Sequence, residues 1–260
     1  MRFHVVTIFP NMFESYFAES IIFRAISAGK IEINTYALRG YTTDKHRRVD
    51  GRPYGGGPVM VMWAEPIMNC VDEIKEKQKA VGRKQKANLK SKILHSTKVT
   101  QLRLKTSLDT TRSAQNLKFK IVILSPGGKD FDNVIAKKMV AKKSGYTDII
   151  FICGRYEGID ARVKKILKAE EWSIGNYVLT GGELPAMVCI DCITRQIEGV
   201  LHDENSLEET RTASHEMYAR PEVFEYAGKK YKVPKVLLSG NHKLIDEYRT
   251  KKENKIGKIK

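Results

Sequence analysis

The chain lacks any apolar run long enough to cross a bilayer as a helix, since such a span needs about 20 residues. Its apolar N-terminal stretch ends at Pro10, and no small-residue cleavage site follows. We therefore interpret this stretch as a core strand rather than a secretory leader, and we expect a cytoplasmic protein.

Cysteine is scarce, with four residues in 260. The spacing Cys189-x-x-Cys192 is compatible with zinc binding or redox chemistry. No second cysteine pair and no well-placed histidine supplies the remaining ligands of a zinc site. Both thiols fall in a predicted apolar helix, 186–197, where small buried thiols are ordinary. We therefore favour core packing for this pair and predict no metal site.

Acidic residues are depleted in one part of the chain. The net charge is +16, and residues 75–120 contain fourteen Lys or Arg against only Glu76 and Asp109. Such a balance favours a polyanionic partner, either nucleic acid or an acidic membrane surface. The alternative is a merely soluble basic protein with a lysine-rich composition.

The order of predicted elements indicates an α/β fold. Residues 2–9, 31–38, 119–124 and 148–152 are apolar and are expected to form strands. Asn11 is expected to cap a helix that ends at Ala28 before Gly29, and Pro66 is expected to begin another. Strands that alternate with helices predict a largely parallel sheet within residues 1–200.

Two further regions differ from this pattern. Residues 77–117 are basic and poor in apolar side chains, so we interpret them as an insertion that forms either a helical hairpin or a disordered tract. Residues 201–217 are polar and are expected to form a linker. A small second domain, 218–260, follows, with a predicted strand at 236–238 and a helix beginning at Asn241.

Three glycine-rich segments follow predicted strands or a short apolar run. They are Leu124-Ser125-Pro126-Gly127-Gly128, Cys153-Gly154-Arg155-Tyr156-Glu157-Gly158, and the run from Ser173 to Gly181-Gly182-Glu183-Leu184-Pro185. Glycine permits sharp turns and the close approach of a ligand to the backbone. Pro185 suits the first turn of a following helix. These segments predict a ligand crevice at the carboxyl edge of a parallel sheet.

These motifs resemble those of the bacterial tRNA (guanine-37-N1)-methyltransferases of the knotted SPOUT superfamily. The resemblance extends to Val-Thr-Ile-Phe-Pro-Asn-Met-Phe (6–13), to Asp-Gly-Arg-Pro-Tyr-Gly-Gly-Gly-Pro (50–58) and to Val-Leu-Leu-Ser-Gly-Asn-His (236–242). It implies a deep trefoil knot, a small and mainly helical C-terminal domain that binds tRNA, and a homodimer with a shared site. It also implies methyl transfer from S-adenosylmethionine to N1 of guanosine 37, in the tRNA anticodon stem-loop.

The resemblance also assigns residues to the cofactor, mainly through their backbone groups. They are Leu124, Ser125, Pro126, Gly154, Tyr156, Glu157, Ile174, Gly175, Asn176, Tyr177, Val178, Leu179, Gly181 and Gly182. The donor methyl is already activated as a sulfonium, so it needs no metal for activation. Whether magnesium assists the reaction is left open by the sequence.

N1 of guanine carries a proton, so its methylation calls for a carboxylate base and for a cation that stabilises charge on O6. Arg195 matches the arginine of the family that supports O6. Its alternative role is an ion pair with Asp191, one helical turn back. Thr210 stands where the aspartate base of the family is expected, so Glu209 and then Glu208 are our candidate bases, with Asp203 in reserve. If neither glutamate acts, the chain is a non-catalytic or altered-specificity RNA-binding relative.

The remaining predicted site residues concern RNA. The resemblance implies that the loop 50–58, which includes Asp50 and Tyr54, receives the target guanosine and the tRNA backbone. Nearby and C-terminal cations are expected to contact phosphate, namely Lys45, Arg47, Arg48, Arg52 and Arg220.

Overall fold

The computed structural model describes residues 1–56, 58–94, 117–201 and 217–253, with backbone only at 84–94 and 249–253. These residues fall into two compact units, one within Met1–Val200 and the other within Leu201–Lys260. Within the described residues, no helix combines the length and the apolar character that a membrane span requires.

A five-stranded parallel sheet forms the centre of the first unit, as the sequence predicts. The strands of this unit are β1 (Arg2–Thr7), β2 (Glu32–Ala37), β3 (Asp50–Gly51), β4 (Val61–Met62), β5 (Phe119–Asp130), β6 (Asp148–Cys153) and β7 (Glu170–Ser173). The spatial order of the five-stranded sheet is β2-β1-β6-β5-β7, and Phe3 of β1 pairs with Ile33 on one side and Ile149 on the other. A separate two-stranded antiparallel ladder joins β3 to β4.

Helices cover both faces of this sheet. They are α1 (Glu14–Phe17), α2 (Ser20–Ser27), α3 (Ala64–Leu94), α4 (Asn133–Val140), α5 (Ala161–Leu167) and α6 (Glu183–Arg195). Alternate strand residues enter two separate cores: Val5 packs with α6, whereas Val6 packs with α3. All six residues of β6 are buried, which is typical of a central parallel strand covered on both faces.

Two expectations for the first helical region are wrong. A single helix from Asn11 to Ala28 is not formed: a short 3₁₀ segment, Pro10–Phe13, leads into α1, and α2 begins only at Ser20. Asn11 lies inside the 3₁₀ segment and is not a capping residue. Ser20 has a φ of 54°, a left-handed conformation that a continuous right-handed helix excludes. The predicted end is confirmed, since Gly29 follows α2 with a φ of 65°.

The basic insertion begins as part of α3. This helix starts at Ala64, two residues before the predicted Pro66, and continues to Leu94. The hairpin or disorder expected for the rest of residues 77–117 falls mainly on 95–116, outside the described residues. The edge strand β7 was not predicted, because its sequence Glu-Glu-Trp-Ser carries only one large apolar side chain.

The second unit combines a hairpin with two helices: β8 (Val223–Tyr226), β9 (Lys229–Lys232), α7 (Lys235–Leu238) and α8 (His242–Glu253). The strand expected at 236–238 is wrong, because these residues form a helical turn after Pro234. The Ser239 hydroxyl donates a hydrogen bond to the Val236 carbonyl at 2.7 Å and stabilises this turn. The helix start at Asn241 is confirmed, since its side chain accepts a hydrogen bond from the Leu244 amide at 3.3 Å. Residues 202–216 of the expected linker lie outside the described residues.

Candidate ligand site at the carboxyl edge of the sheet

A cavity of about 690 Å³ opens at the carboxyl edge of the sheet, beyond the ends of β6 and β7 and beside residues 123–126 of β5. Its walls come from the three glycine-rich segments, at 123–126, 154–161 and 171–182, together with Lys164 and Pro185. The loops after β6 and β7 reach this site, whereas residues 123–126 belong to β5 itself, which continues past the expected end at Leu124 with a register shift between Leu124 and Lys129. The carboxyl edge is the usual position of a ligand in an open α/β sheet. The volume is within the range of small-molecule sites.

The structure brings nearly all of the residues assigned to the cofactor into this one wall. Asn176 is the exception: it lies in the third segment, between two lining residues, but is not itself part of the lining. The lining members of that predicted set are Leu124, Ser125, Pro126, Gly154, Tyr156, Glu157, Ile174, Gly175, Tyr177, Val178, Leu179, Gly181 and Gly182.

Gly182 joins the second segment to the third. Its amide donates a hydrogen bond to the Gly154 carbonyl at 2.9 Å, and Gly181 forms a bridge with Arg155. A β-carbon at Gly182 would lie 2.8 Å from Cys153 Cα and 3.0 Å from the Gly154 amide nitrogen. Glycine is required here because two stretches of backbone approach each other more closely than a side chain allows.

A buried ion pair supports this junction from behind. Glu183, the first residue of α6, is 1% exposed. Its Oε1 accepts a hydrogen bond from the Thr7 hydroxyl at 2.8 Å, and its Oε2 accepts one from Arg155 Nε at 3.0 Å. The Arg155 guanidinium also lies over the Phe9 ring, 4.7 Å from its centroid. These contacts link the end of β1 to both loops and hold the cavity wall in place.

Sequence reasoning missed this group. Thr7 ends an ordinary predicted strand. Arg155 and Glu183 are single charged residues next to Gly154 and Gly182, and the glycines alone were sufficient to predict a ligand-binding loop. The available signal was the position of Arg155 and Glu183 at the borders of two predicted loops. Only the tertiary structure shows that the two charges meet, because 28 residues separate them along the chain.

Polar groups suited to a small ligand converge on the cavity. Glu157 contributes an exposed carboxylate at the wall, and its amide is held by the Met60 carbonyl at 3.1 Å. Tyr156 has a φ of 61° and a half-exposed ring. The site can therefore hold a polar molecule through backbone groups, a carboxylate and aromatic edges.

The loop predicted to contact RNA packs against the same wall. The Met62 amide donates to the Gly158 carbonyl, and the Asp160 amide donates to the Met62 carbonyl, both at 3.0 Å. Asp50, in β3, pairs with Met62 and is half-buried. This ladder places the base of the 50–62 loop directly beside the second cavity segment.

The side chains assigned to phosphate and RNA differ in their present partners. Arg48 forms a two-point ion pair with Asp44, with a shortest distance of 2.7 Å, and it lowers the pKa of that carboxyl group. Tyr54 is fully exposed. The other cations of the set are exposed as well, namely Lys45, Arg47, Arg52 and, in the second unit, Arg220.

Arg195 lies away from this cavity. It is the last residue of α6, whereas Pro185 near the start of that helix lines the cavity. Thirteen helical residues extend for about 18 Å. Asp191, considered as its partner, accepts a hydrogen bond from the Tyr16 hydroxyl at 2.7 Å. The candidate bases Glu208 and Glu209, and the reserve Asp203, lie outside the described residues.

The cysteine pair lies on α6. Cys189 is fully buried, as the core-packing interpretation predicts, and burial raises the pKa of its thiol. Cys192 is half-exposed and contacts the Asn133 side-chain oxygen at 3.3 Å. No cluster of three or more potential metal ligands occurs among the described residues.

A parallel α/β sheet with a backbone-lined cavity at its carboxyl edge defines a class of proteins that bind small polar ligands. Comparison with known proteins narrows this class. The sequence model of the family described as tRNA (Guanine-1)-methyltransferase TrmD matches residues 1–105 and 98–260. The chain belongs to this family.

Full-length relatives agree with this assignment. A protein of Clostridioides difficile (strain 630) named tRNA (guanine-N(1)-)-methyltransferase is 40% identical over 262 residues, covering 99% of this chain and 94% of the relative. Proteins of the same name in Thermomicrobium roseum and Caldanaerobacter subterraneus subsp. tengcongensis are 41% and 37% identical. The alignment with the Thermomicrobium protein covers 96% of this chain and 77% of the relative. The alignment with the Caldanaerobacter protein covers 100% of this chain and 90% of the relative.

Proposed function

We propose that this protein methylates N1 of the guanosine at position 37 of tRNA, in the cytoplasm, with S-adenosylmethionine as the methyl donor. The observation that carries the proposal is the convergence of three glycine-rich segments on one cavity, in a chain of the tRNA (guanine-1)-methyltransferase family. The trefoil knot implied by the family is part of this proposal, and in it the third segment would dock on the second at the contact between Gly182 and Gly154.

The cavity residues fit the proposed donor. A β-carbon at Gly182 would enter the junction between two loops, so backbone shapes this part of the wall. The exposed Glu157 carboxylate and the half-exposed Tyr156 ring remain for contacts with the donor. When bound, S-adenosylmethionine would supply a methyl group on a sulfonium centre. Segments 124–126, 154–157 and 174–182 would hold and orient it.

The reacting guanine places separate demands on the protein. A carboxylate, Glu209 or else Glu208, would accept the proton from N1, and the Arg195 guanidinium would stabilise negative charge on O6. Loss of a positioned base typically costs about 10²- to 10⁴-fold in rate. Glu209→Gln is therefore expected to slow single-turnover methylation steeply while leaving tRNA binding intact. Wild-type turnover in Glu208→Gln/Glu209→Gln would place the base elsewhere.

The position of Arg195 supports a homodimer with a shared site. Arg195 lies ten residues, or about 15 Å, along α6 from the cavity-lining Pro185. A twofold partner that presents its own Arg195 to the ligand would complete the site. Light scattering at micromolar concentration tests the dimer. Full activity in a monomer would contradict it.

A mixing experiment tests the shared site directly. Gly182→Val removes the cavity and Arg195→Ala removes the charge, so each variant alone is expected to be inactive. Mixed dimers would contain one site with both groups intact, and random mixing would restore about a quarter of wild-type activity. A site built within one protomer would give no recovery at all.

The decisive test of the activity itself is methyl transfer to two tRNA transcripts that differ only at position 37. We expect transfer to the transcript with guanosine 37 and none to that with adenosine 37, with N1-methylguanosine found by mass spectrometry of the digested product. A magnesium titration of the same assay would reveal any role of that ion. Equal transfer to both transcripts would refute the assigned position.

A further inference from the structure

The hairpin of the second unit presents one face that consists largely of aromatic rings. In an antiparallel ladder, directly opposite residues share a face, and alternate residues of a strand lie on the same face. Phe224 is opposite Tyr231, and Tyr226 is opposite Lys229. These four residues therefore form one surface, called here the aromatic face: Phe224, Tyr226, Lys229 and Tyr231.

The rings of this face are available to a partner. Phe224, Tyr226 and Tyr231 are 58%, 67% and 55% exposed. The Phe224 and Tyr226 rings are nearly parallel, at 7°, with centroids 6.4 Å apart. Exposed rings held side by side on a two-stranded ladder are an uncommon arrangement unless they have a binding role.

Charge on the hairpin favours a polyanion. Lys229 is the charged member of the aromatic face, and the acid of the two strands, Glu225, lies on the opposite face, where it pairs with Lys230 at 2.9 Å. Lys232 is also on that opposite face, and Lys235 begins the helix that follows. The aromatic face therefore combines rings with positive charge and carries no carboxylate between residues 223 and 232.

The same face leads to a cavity in the second unit. Glu222 and Val233 continue the ladder through a hydrogen bond of 3.0 Å, and both line a cavity of about 630 Å³. Arg220 belongs to the lining as well, together with apolar side chains of α7 and α8. An extended ligand on the aromatic face would thus reach a partly apolar recess whose lining includes both the Arg220 guanidinium and the Glu222 carboxylate.

We propose that the aromatic face binds unpaired nucleotides of RNA by stacking, with Lys229 and Arg220 on the phosphates. The proposal rests on the proposed function in that the RNA is the tRNA substrate. Every base offers a π-face, so stacking on aromatic side chains joined to a basic groove is the general mode of binding single-stranded nucleic acid. RNA-binding proteins use it on unpaired loops and ends.

The test measures binding of the full-length protein to a fluorescent tRNA transcript. Phe224→Ala/Tyr231→Ala is expected to weaken binding roughly 5- to 100-fold, the effect of losing about one stacked base. Tyr231→Phe keeps the ring and is expected to bind as the unmodified protein does. Circular dichroism and S-adenosylmethionine affinity serve as controls for folding, since neither depends on stacking.

The two faces of the hairpin offer a matched pair of charge variants. Lys229→Gln removes a charge from the aromatic face, and Lys232→Gln removes one from the opposite face. The slope of log affinity against log salt is expected to fall by about one for Lys229→Gln and to stay unchanged for Lys232→Gln. Ultraviolet cross-linking of unmodified protein should join tRNA to Tyr226 or Tyr231.

The outcomes separate the possibilities. Unchanged tRNA affinity in Phe224→Ala/Tyr231→Ala, in a protein that still methylates tRNA, overturns this inference and leaves the proposed function standing. Failure of the unmodified protein both to bind and to methylate tRNA overturns the two together. A loss of dimer mass in the alanine variant, with tRNA affinity unchanged, would assign the aromatic face to a contact between two copies of the chain and overturn the RNA proposal.

Discussion

The two edges of the five-stranded sheet hold polar groups of different kinds. At the amino edge, Asp148 is fully buried and accepts hydrogen bonds from Arg2 at 2.7 Å and from His4 at 3.0 Å. His4 in turn contacts the Tyr36 hydroxyl at 3.0 Å. Side chains satisfy one another here, so little is left for a ligand to contact.

At the carboxyl edge, glycine backbone and exposed side chains such as Glu157 line an open cavity. Residues 123–126 of β5 and the loops after β6 and β7 surround a cavity of about 690 Å³. Among the described residues of this wall, the one buried ion pair, Arg155–Glu183, holds the two loops in place. The comparison indicates that the amino edge contributes stability, whereas the carboxyl edge is built to bind a ligand.

The largest expected effect is the loss of the buried carboxylate at the amino edge. Asp148→Ala leaves Arg2 and His4 without their partner and is expected to lower the free energy of unfolding by about 3–5 kcal/mol. Chemical denaturation checks the value. Glu32→Ala, an exposed acid at the same edge, serves as the control. A comparable loss of unfolding free energy in both variants would show that the hydrogen bonds of Asp148 with Arg2 and His4 do not stabilise the fold more than an exposed acid does.

Gly182→Val tests the carboxyl edge. The added side chain meets the backbone of Cys153 and Gly154. Overpacking of this kind typically costs about 1–3 kcal/mol of stability, and the cavity wall is lost where the two loops separate to relieve it. Calorimetry with S-adenosylmethionine should therefore show no binding. Gly127→Val, where a β-carbon meets nothing within 4 Å, is the matched control. Wild-type affinity in Gly182→Val would refute the assigned cavity.

Acid should weaken the amino edge in a defined interval. Burial by itself would raise the pKa of Asp148, but hydrogen bonds from His4, Arg2 and Thr147 outweigh it and lower the pKa from 3.8 to about 2. A pKa that is lower in the folded than in the unfolded protein stabilises the fold at pH values above the ordinary pKa. The free energy of unfolding is therefore expected to fall by about 2 kcal/mol as pH falls from about 4 to about 2. In Asp148→Asn this part of the acid dependence should disappear. Its persistence would assign the loss to other groups.

The smallest expected effect concerns the hydroxyl that connects β1 to the cavity wall. Thr7→Val removes the hydrogen bond to the buried Glu183 carboxylate and the one that the Thr7 hydroxyl accepts from the Phe9 amide, and should cost about 1–2 kcal/mol of stability. Thr35→Val, at an exposed position of β2, provides the same change of shape without that bond. Equal melting temperatures for the two variants would mean that Arg155 alone satisfies Glu183.

The parallel sheet and the three glycine-rich segments followed from local patterns. Apolar strands such as Asp148–Cys153, each followed by glycines, carry their signal in adjacent residues, so the site could be placed at a strand edge from sequence. Helix continuity at Ser20 and the turn at 236–238 could not be predicted, because propensity and apolar content are compatible with both alternatives there.

The sequence by itself determined the fold class, the family motifs and the chemical character of each loop, since these depend on residue types and their spacing. Only the tertiary structure decided which distant groups meet. Thr7, Arg155 and Glu183 converge although up to 176 residues separate them, and Arg195 is carried to the far end of α6 from the cavity. Such contacts arise from packing of whole elements around a common core, and local sequence does not encode them.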